Sequence, residues 1–144
     1  MNLCHQDKLY IISENQDITI YKNNEWKTYS VLESVGQLKK QTFCVLNYIK
    51  VINNKADEFE SKFIDVDEQL EDLEGFVALR ILRPQKPDDY YLIITLWDTE
   101  LHFKMWYHSH QYQNAYRNCE LVNQYPYKSV IDPQISYRIK FNTA

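Results

Sequence analysis

Glycine is nearly missing from this chain: its 144 residues include two, Gly36 and Gly75. Loops that cradle phosphates need clustered glycines so that backbone can approach the ligand, which excludes Walker-type and dinucleotide-binding readings. Cysteine is scarce as well. Cys4, Cys44 and Cys119 are odd in number and form no Cys-x-x-Cys pair, so they indicate neither a disulfide framework nor a thiolate zinc site and read as free reduced thiols. Lys and Arg number 16 against 20 Asp and Glu, a net charge of −4, and the basic residues are scattered, which argues against a nucleic-acid partner. No apolar run approaches the ~18 residues of a membrane span. Met1-Asn-Leu-Cys-His-Gln-Asp carries no basic-then-apolar export signal, so the chain reads as cytoplasmic with no membrane partner. Neither Gly-x-Ser-x-Gly nor His-Glu-x-x-His occurs, which leaves hydrolase and metalloprotease readings without support.

What the chain does have is alternation. Leu9–Ile12, Ile18–Tyr21 and Trp26–Val31 read as short strands, and Asn23-Asn24 between the last two tolerates the positive φ of a tight hairpin turn. Leu32, Val35 and Leu38 at helical spacing predict a short helix over 31–40 that links this β-rich extension, residues 1–40, to a main domain, residues 41–144. The 41–51 stretch reads as a strand with Phe43, Val45, Asn47, Ile49 and Val51 on one face and Cys44, Leu46 and Tyr48 on the other. Asn47 is out of place among apolar neighbours, because a buried amide without partners costs ~1–3 kcal/mol. It is either a functional residue or a strand Asn bonded to nearby backbone.

A long helix follows from Asn53, with Phe59, Phe63, Val66, Leu70 and Leu73 as its apolar stripe and its acidic residues on the solvated side. Gly75 stands where a left-handed residue would end that helix. Two apolar runs joined by Pro84-Gln-Lys-Pro-Asp-Asp89 predict a strand pair, followed by a helix capped at Asp98 or Thr99. Leu101, Met105 and Trp106 are expected on its buried side. A second short helix begins at Ser109, with Tyr112, Ala115, Tyr116 and Cys119 as its stripe. Ile135, Tyr137, Ile139 and Phe141 then alternate with Ser136, Arg138, Lys140 and Asn142 in a half-exposed closing strand. The order strand, helix, strand, strand, helices, strand gives an α+β class with a ferredoxin-like βαββαβ unit, all helices on one sheet face. The opposite face needs cover, and a second copy of the sheet would supply it in a homodimer.

Val45-Leu-Asn47, Leu73-Glu-Gly75-Phe76, Leu79-Arg-Ile-Leu-Arg-Pro84, Tyr91-Leu-Ile-Ile-Thr-Leu-Trp97 and Phe103-x-x-Trp106 followed by Ser109 and Ala115 together resemble the antibiotic biosynthesis monooxygenase superfamily. Within it the chain is similar to heme-degrading monooxygenases of the IsdG type, in the long form with an N-terminal extension, and to the related staphylococcal signalling-associated protein TRAP. The likeness covers residues 17–142, and Tyr29 to Leu38 resembles the linking helix of those proteins. It implies a dimeric α/β-barrel with one heme per protomer, dioxygen and a reductant as co-substrates, and oxidative porphyrin opening with iron release. It also implies roles: Asn47 orienting bound oxygen, Trp106 distorting the porphyrin, and an axial iron ligand at the position of Tyr116, where the family has histidine. A phenolate stabilises ferric iron more than a neutral imidazole does, so this departure bears on turnover. His108 or His110 are the alternative ligands, or else exposed polar residues of the turn, and Trp106 is otherwise a large core residue. A TRAP-like non-catalytic signalling protein is the second expectation, and a cofactor-free monooxygenase of small aromatic substrates the third.

Overall fold

A computed structural model describes residues 1–5, 8–64, 72–108 and 137–143, with 2–5 and 62–64 as backbone alone. Eight strands occur among them: β1 (Asn2–His5), β2 (Lys8–Glu14), β3 (Ile18–Lys22), β4 (Glu25–Gly36), β5 (Phe43–Ile49), β6 (Phe76–Pro84), β7 (Tyr91–Trp97) and β8 (Tyr137–Asn142). Two helices, α1 (Ala56–Ile64) and α2 (Glu100–Tyr107), complete the set. All strands join one antiparallel sheet in the order β1-β2-β3-β4-β6-β7-β5-β8. The α+β, ferredoxin-like class expected from the sequence is the one observed. None of the described helices is long and apolar enough to cross a membrane.

Period-two alternation decides which side each residue serves. Phe43, Val45, Ile49 and Val51 join Phe59 of α1 and Phe103 and Trp106 of α2 in one cluster, so both helices cover the same face. Cys44, Leu46 and Tyr48 point the other way, into a second cluster with Tyr10, Ile12, Ile18, Ile20, Leu82, Leu92 and Phe141. The sheet curls until β1 lies against β8, and Tyr10 meets Phe141 across the gap with ring centres 5.1 Å apart. That second cluster is therefore a barrel interior. Each residue of β7 is buried, as expected of a central strand with core on both sides.

Three expectations change. The helix over 31–40 is replaced by β4, which runs to Gly36 along β6. Its apparent helical spacing has a local cause: a bulge between Val31 and Glu33 resets the alternation, so Leu32 and Val35, three residues apart, both pack toward the helix-side cluster. The sheet face that was to be covered by a second copy is buried by the chain's own β1–β4, with Ile12, Ile18, Ile20 and Leu46 all 2% exposed or less. An uncovered face therefore gives no argument for a homodimer. Leu101 and Met105 are exposed at 64% and 56%, and the buried side of α2 is Phe103 and Trp106 instead. On two turns of helix the stripe 103, 106, 107 is the one that meets the sheet. The end of the long helix beyond 64, the helix from Ser109 with Tyr112 and Tyr116, and the loop after it lie outside the described residues.

Other expectations agree with what is observed. Asn23 and Asn24 have φ of 54° and 62°, the paired left-handed residues of a two-residue hairpin. Gly75 has φ 81°, ahead of β6, and the His102 side chain occupies the space a Cβ there would need.

Candidate functional site

The helix-facing side of the sheet carries the polar residues that core packing does not require. Its floor is set by α2. Thr99 caps that helix, its Oγ1 accepting from the His102 N–H at 3.3 Å, and Glu100 lies in the first turn where the helix dipole favours a negative charge. The Phe103, Trp106 and Tyr107 stripe then falls on the sheet. Trp106, 7% exposed, packs on Trp97 with ring centres 5.3 Å apart and planes 30° from parallel, and Phe103 lies 6.2 Å from it. This leaves the indole little rotational freedom.

Asn47 sits on the same face, in the middle of β5, between Ile93 of β7 and Arg138 of β8 in the pairing register. Its partner is a side chain rather than nearby backbone: Arg138 Nε donates to Asn47 Oδ1 at 2.7 Å. Because a guanidinium can only donate, this bond assigns the amide, with oxygen toward Arg138 and the Nδ2 hydrogens left as donors. The same guanidinium lies 5.0 Å from the Tyr107 ring centre and 5.7 Å from that of Phe103. Lys140, two residues along β8, places its Nζ 5.7 Å from Phe103. The structure thus brings Asn47 and the α2 aromatics together through Arg138.

Arg138 escaped the sequence reading. In the sequence it is one polar residue of a half-exposed strand, alternating with Tyr137 and Ile139. What the sequence does not carry is the register between two strands 91 residues apart in chain order, which sets Arg138 directly beside Asn47.

Chemically, the arrangement offers an amide N–H donor of fixed orientation, two cations and an aromatic floor. That combination suits a flat, largely apolar molecule bearing acidic groups at its margin. Among the described residues no group of three His, Cys, Asp or Glu side chains could hold a bare metal ion; a metal held in a macrocycle needs one axial protein ligand and does not require such a group. Tyr116 and His110 lie outside the described residues. His108 terminates α2, its backbone N–H donating to Lys104 O at 3.0 Å, with its ring edge-on to Tyr107 at 5.2 Å.

On the far side of α1 a second polar group anchors the helix. Arg83 Nε donates to Glu60 Oε2 at 3.0 Å and the Tyr91 hydroxyl donates to the same carboxylate. Arg83 first, and Tyr91 with it, hold the Glu60 carboxyl below its usual range, while burial and Glu60 push the Tyr91 hydroxyl up.

A family profile described as antibiotic biosynthesis monooxygenase matches residues 42–118. Signal transduction protein TRAP of Staphylococcus aureus is 29% identical over 84 residues, 58% of this chain and 49% of the relative. The chain thus spans about half the length of the curated relatives it matches. Among solved structures, a major regulator of staphylococcal pathogenesis superposes with TM-score 0.69 at 16% identity, covering 95% of this chain and 85% of the other. A heme-degrading enzyme from Listeria monocytogenes gives TM-score 0.67 at 16% identity, covering 100% and 84%. At such identities the superpositions establish a shared fold.

Proposed function

The chain belongs to the antibiotic biosynthesis monooxygenase family, and from that premise we propose that it binds heme and opens the porphyrin oxidatively, consuming dioxygen and electrons from a reductant and releasing iron. The observation that carries this reading is the Asn47–Arg138 pair beside the α2 aromatics. Its donor set fits the group: the half-buried Tyr107 ring offers apolar surface to a macrocycle over the buried Phe103 and Trp106, and Arg138 and Lys140 offer positive charge to its carboxylates. Heme bound there supplies the iron that activates dioxygen and the ring carbon that is oxidised.

The chain's residues contribute orientation and exclusion of water. Arg138 holds Asn47 Oδ1, so the Nδ2 hydrogens are the ones presented to a ligand oxygen, with no reorganisation needed when it arrives. Trp106, confined by Trp97 and Phe103, presses a rigid surface toward whatever occupies the space beside it. Tyr116, where the resemblance implies the family's histidine, would supply the iron ligand, and a tyrosinate would favour ferric iron and slow ring opening relative to a histidine-ligated site.

A second reading, a non-catalytic TRAP-like regulator, is favoured by one specific observation: tyrosine rather than histidine at position 116. Titration with ferric hemin followed by ascorbate in air separates the two. Saturable binding with decay of the Soret band and release of iron in the presence of catalase supports the degrading enzyme. Stable binding without decay assigns a heme carrier or sensor, and no saturable binding removes the heme reading in favour of the regulator. A Tyr116→Phe variant with unchanged ferric spectrum and affinity would show that Tyr116 is not the ligand, and Tyr116→His should speed ring opening if the axial ligand limits it.

A further inference from the structure

The barrel interior opens at one end into a cavity of about 220 Å³ on the opposite side of the sheet from Asn47. The β3–β4 turn, the β6–β7 loop and adjoining ends of β5 and β8 meet there, and Lys22, Lys27, Tyr48, Asp89, Tyr90 and Tyr137 are among its walls. Tyr48 and Tyr137 stack with ring centres 4.8 Å apart and planes 14° from parallel. Tyr90 stands steeply inclined to both, at 6.4 Å and 5.5 Å. The Lys22 ammonium lies 3.9 Å from the Tyr48 ring centre and 4.5 Å from that of Tyr137, whose hydroxyl accepts from it.

Two features of this mouth are unbalanced. Lys27 has a carboxylate, Asp89, at 2.9 Å, whereas Lys22 has none within ion-pair distance among the described residues. The Tyr48 hydroxyl, on a side chain 4% exposed, has no hydrogen-bond partner among the described residues. An orphaned buried hydroxyl is costly to the fold and uncommon. The ring that carries it has the Lys22 ammonium over its face and the Tyr137 ring stacked on it.

We propose that the barrel mouth is a second binding site, which takes a small aromatic carboxylate: the carboxylate accepts from Lys22 and, with a shift of that flexible side chain, from the Tyr48 hydroxyl, and the ring packs among the tyrosines. One group satisfies both the unpaired cation and the orphaned hydroxyl, and barrel mouths are recurrent ligand sites. Burial first, and then the neighbouring Lys27, hold the Lys22 ammonium down, to about 8, against the opposing charge of Asp89. The site is independent of the heme reading.

Calorimetric titration of the full chain with benzoate tests it, with benzyl alcohol and benzylamine as neutral and cationic molecules of similar shape. Benzoate binds saturably and the other two do not. Lys22→Met abolishes the binding, and Tyr48→Phe weakens it about tenfold with no fall in melting temperature, while hemin binding is unchanged in both variants. Absence of saturable benzoate binding, preference for benzylamine, or wild-type benzoate affinity in both variants would overturn the proposal.

Discussion

Replacing Asn47 and Arg138 singly and together tests whether the pair is one unit. The bond between them is 2.7 Å long and part-buried. A charge-assisted bond contributes ~1.5–3 kcal/mol when well buried and less where water reaches it, so about 1 kcal/mol is a fair value here. Arg138→Met removes that bond and also the cation 5.0 Å from the Tyr107 ring, worth about 0.5–1 kcal/mol, for an expected loss of about 2 kcal/mol. Asn47→Leu removes the same bond but adds apolar surface beside Val45 and Ile49, so its net cost is about 0–1 kcal/mol. The double variant loses the bond once rather than twice. Its cost should fall short of the sum of the singles by about 1 kcal/mol. Urea unfolding with a shared slope measures all three differences. If the single costs add to within ~0.5 kcal/mol, the pair carries no coupling and the orienting role assigned to Arg138 fails. The same four proteins loaded with hemin, given reductant in air, provide the functional half: either single variant should slow Soret decay as much as the double.

Burial, and then the charge of Lys27, lower the Lys22 ammonium to about 8. From there to its unfolded value near ~10.4 the unfolded chain holds the extra proton, so stability rises with pH over that window. The difference between wild type and Lys22→Met should move by about 1 kcal/mol in favour of wild type between about pH 8 and pH 10, a value discounted for the half-exposed amine; a flat difference in urea unfolding would refute it. Glu60 behaves oppositely. Its carboxyl is held down by Arg83 and Tyr91, so its contribution is present above the unfolded carboxyl value of ~4.3 and is lost as pH falls through the lower folded value. Glu60→Gln should cost about 1 kcal/mol at neutral pH and flatten the acid limb of the melting profile; an unaltered acid limb would show that the network with Arg83 is not stabilising. Gly36 has φ 70°, and a Cβ there would fall inside contact distance of the Val77 carbonyl oxygen. Gly36→Ala should therefore cost more than about 2 kcal/mol, and a variant melting with wild type would mean that β4 does not end along β6 in this way.

The main sheet was legible because its signals are local. Two apolar runs with a polar joint at 84–89 predict β6 and β7, and Asn23-Asn24 marks a turn whose backbone is the one that dipeptide favours. The second half of β4 was not legible, since a one-residue bulge makes a strand look three-periodic over the short window of Leu32 and Val35. Closure of the barrel was hidden for a different reason. Alternation says that Ile12, Ile18 and Ile20 have an apolar face, but not whether that face meets the chain's own sheet or another copy's. Asn47 stood out because an amide is anomalous among Val45 and Ile49, whereas Arg138 was unremarkable in a polar register of β8. Its role arises only from pairing, which is long-range information.

The β5–β8 ladder joins the two halves of the molecule's chemistry. On one rung Asn47 faces Arg138, and on the next Tyr48 faces Tyr137. By the period of two, the first pair points to the helices and the second into the barrel mouth. A slip of β8 by one residue would exchange the faces of Arg138 and Tyr137 while β7 holds Asn47 and Tyr48 in place, so the register that orients the Asn47 amide also builds the tyrosine stack. The register is itself secured by apolar neighbours, Leu46 beside Ile139 and Cys44 beside Phe141, buried in the barrel. β1–β4 therefore do more than cover a sheet face. By filling the interior they fix the ladder on which both candidate sites stand. Damage to the interior packing should accordingly disturb the Asn47–Arg138 pair without touching either residue.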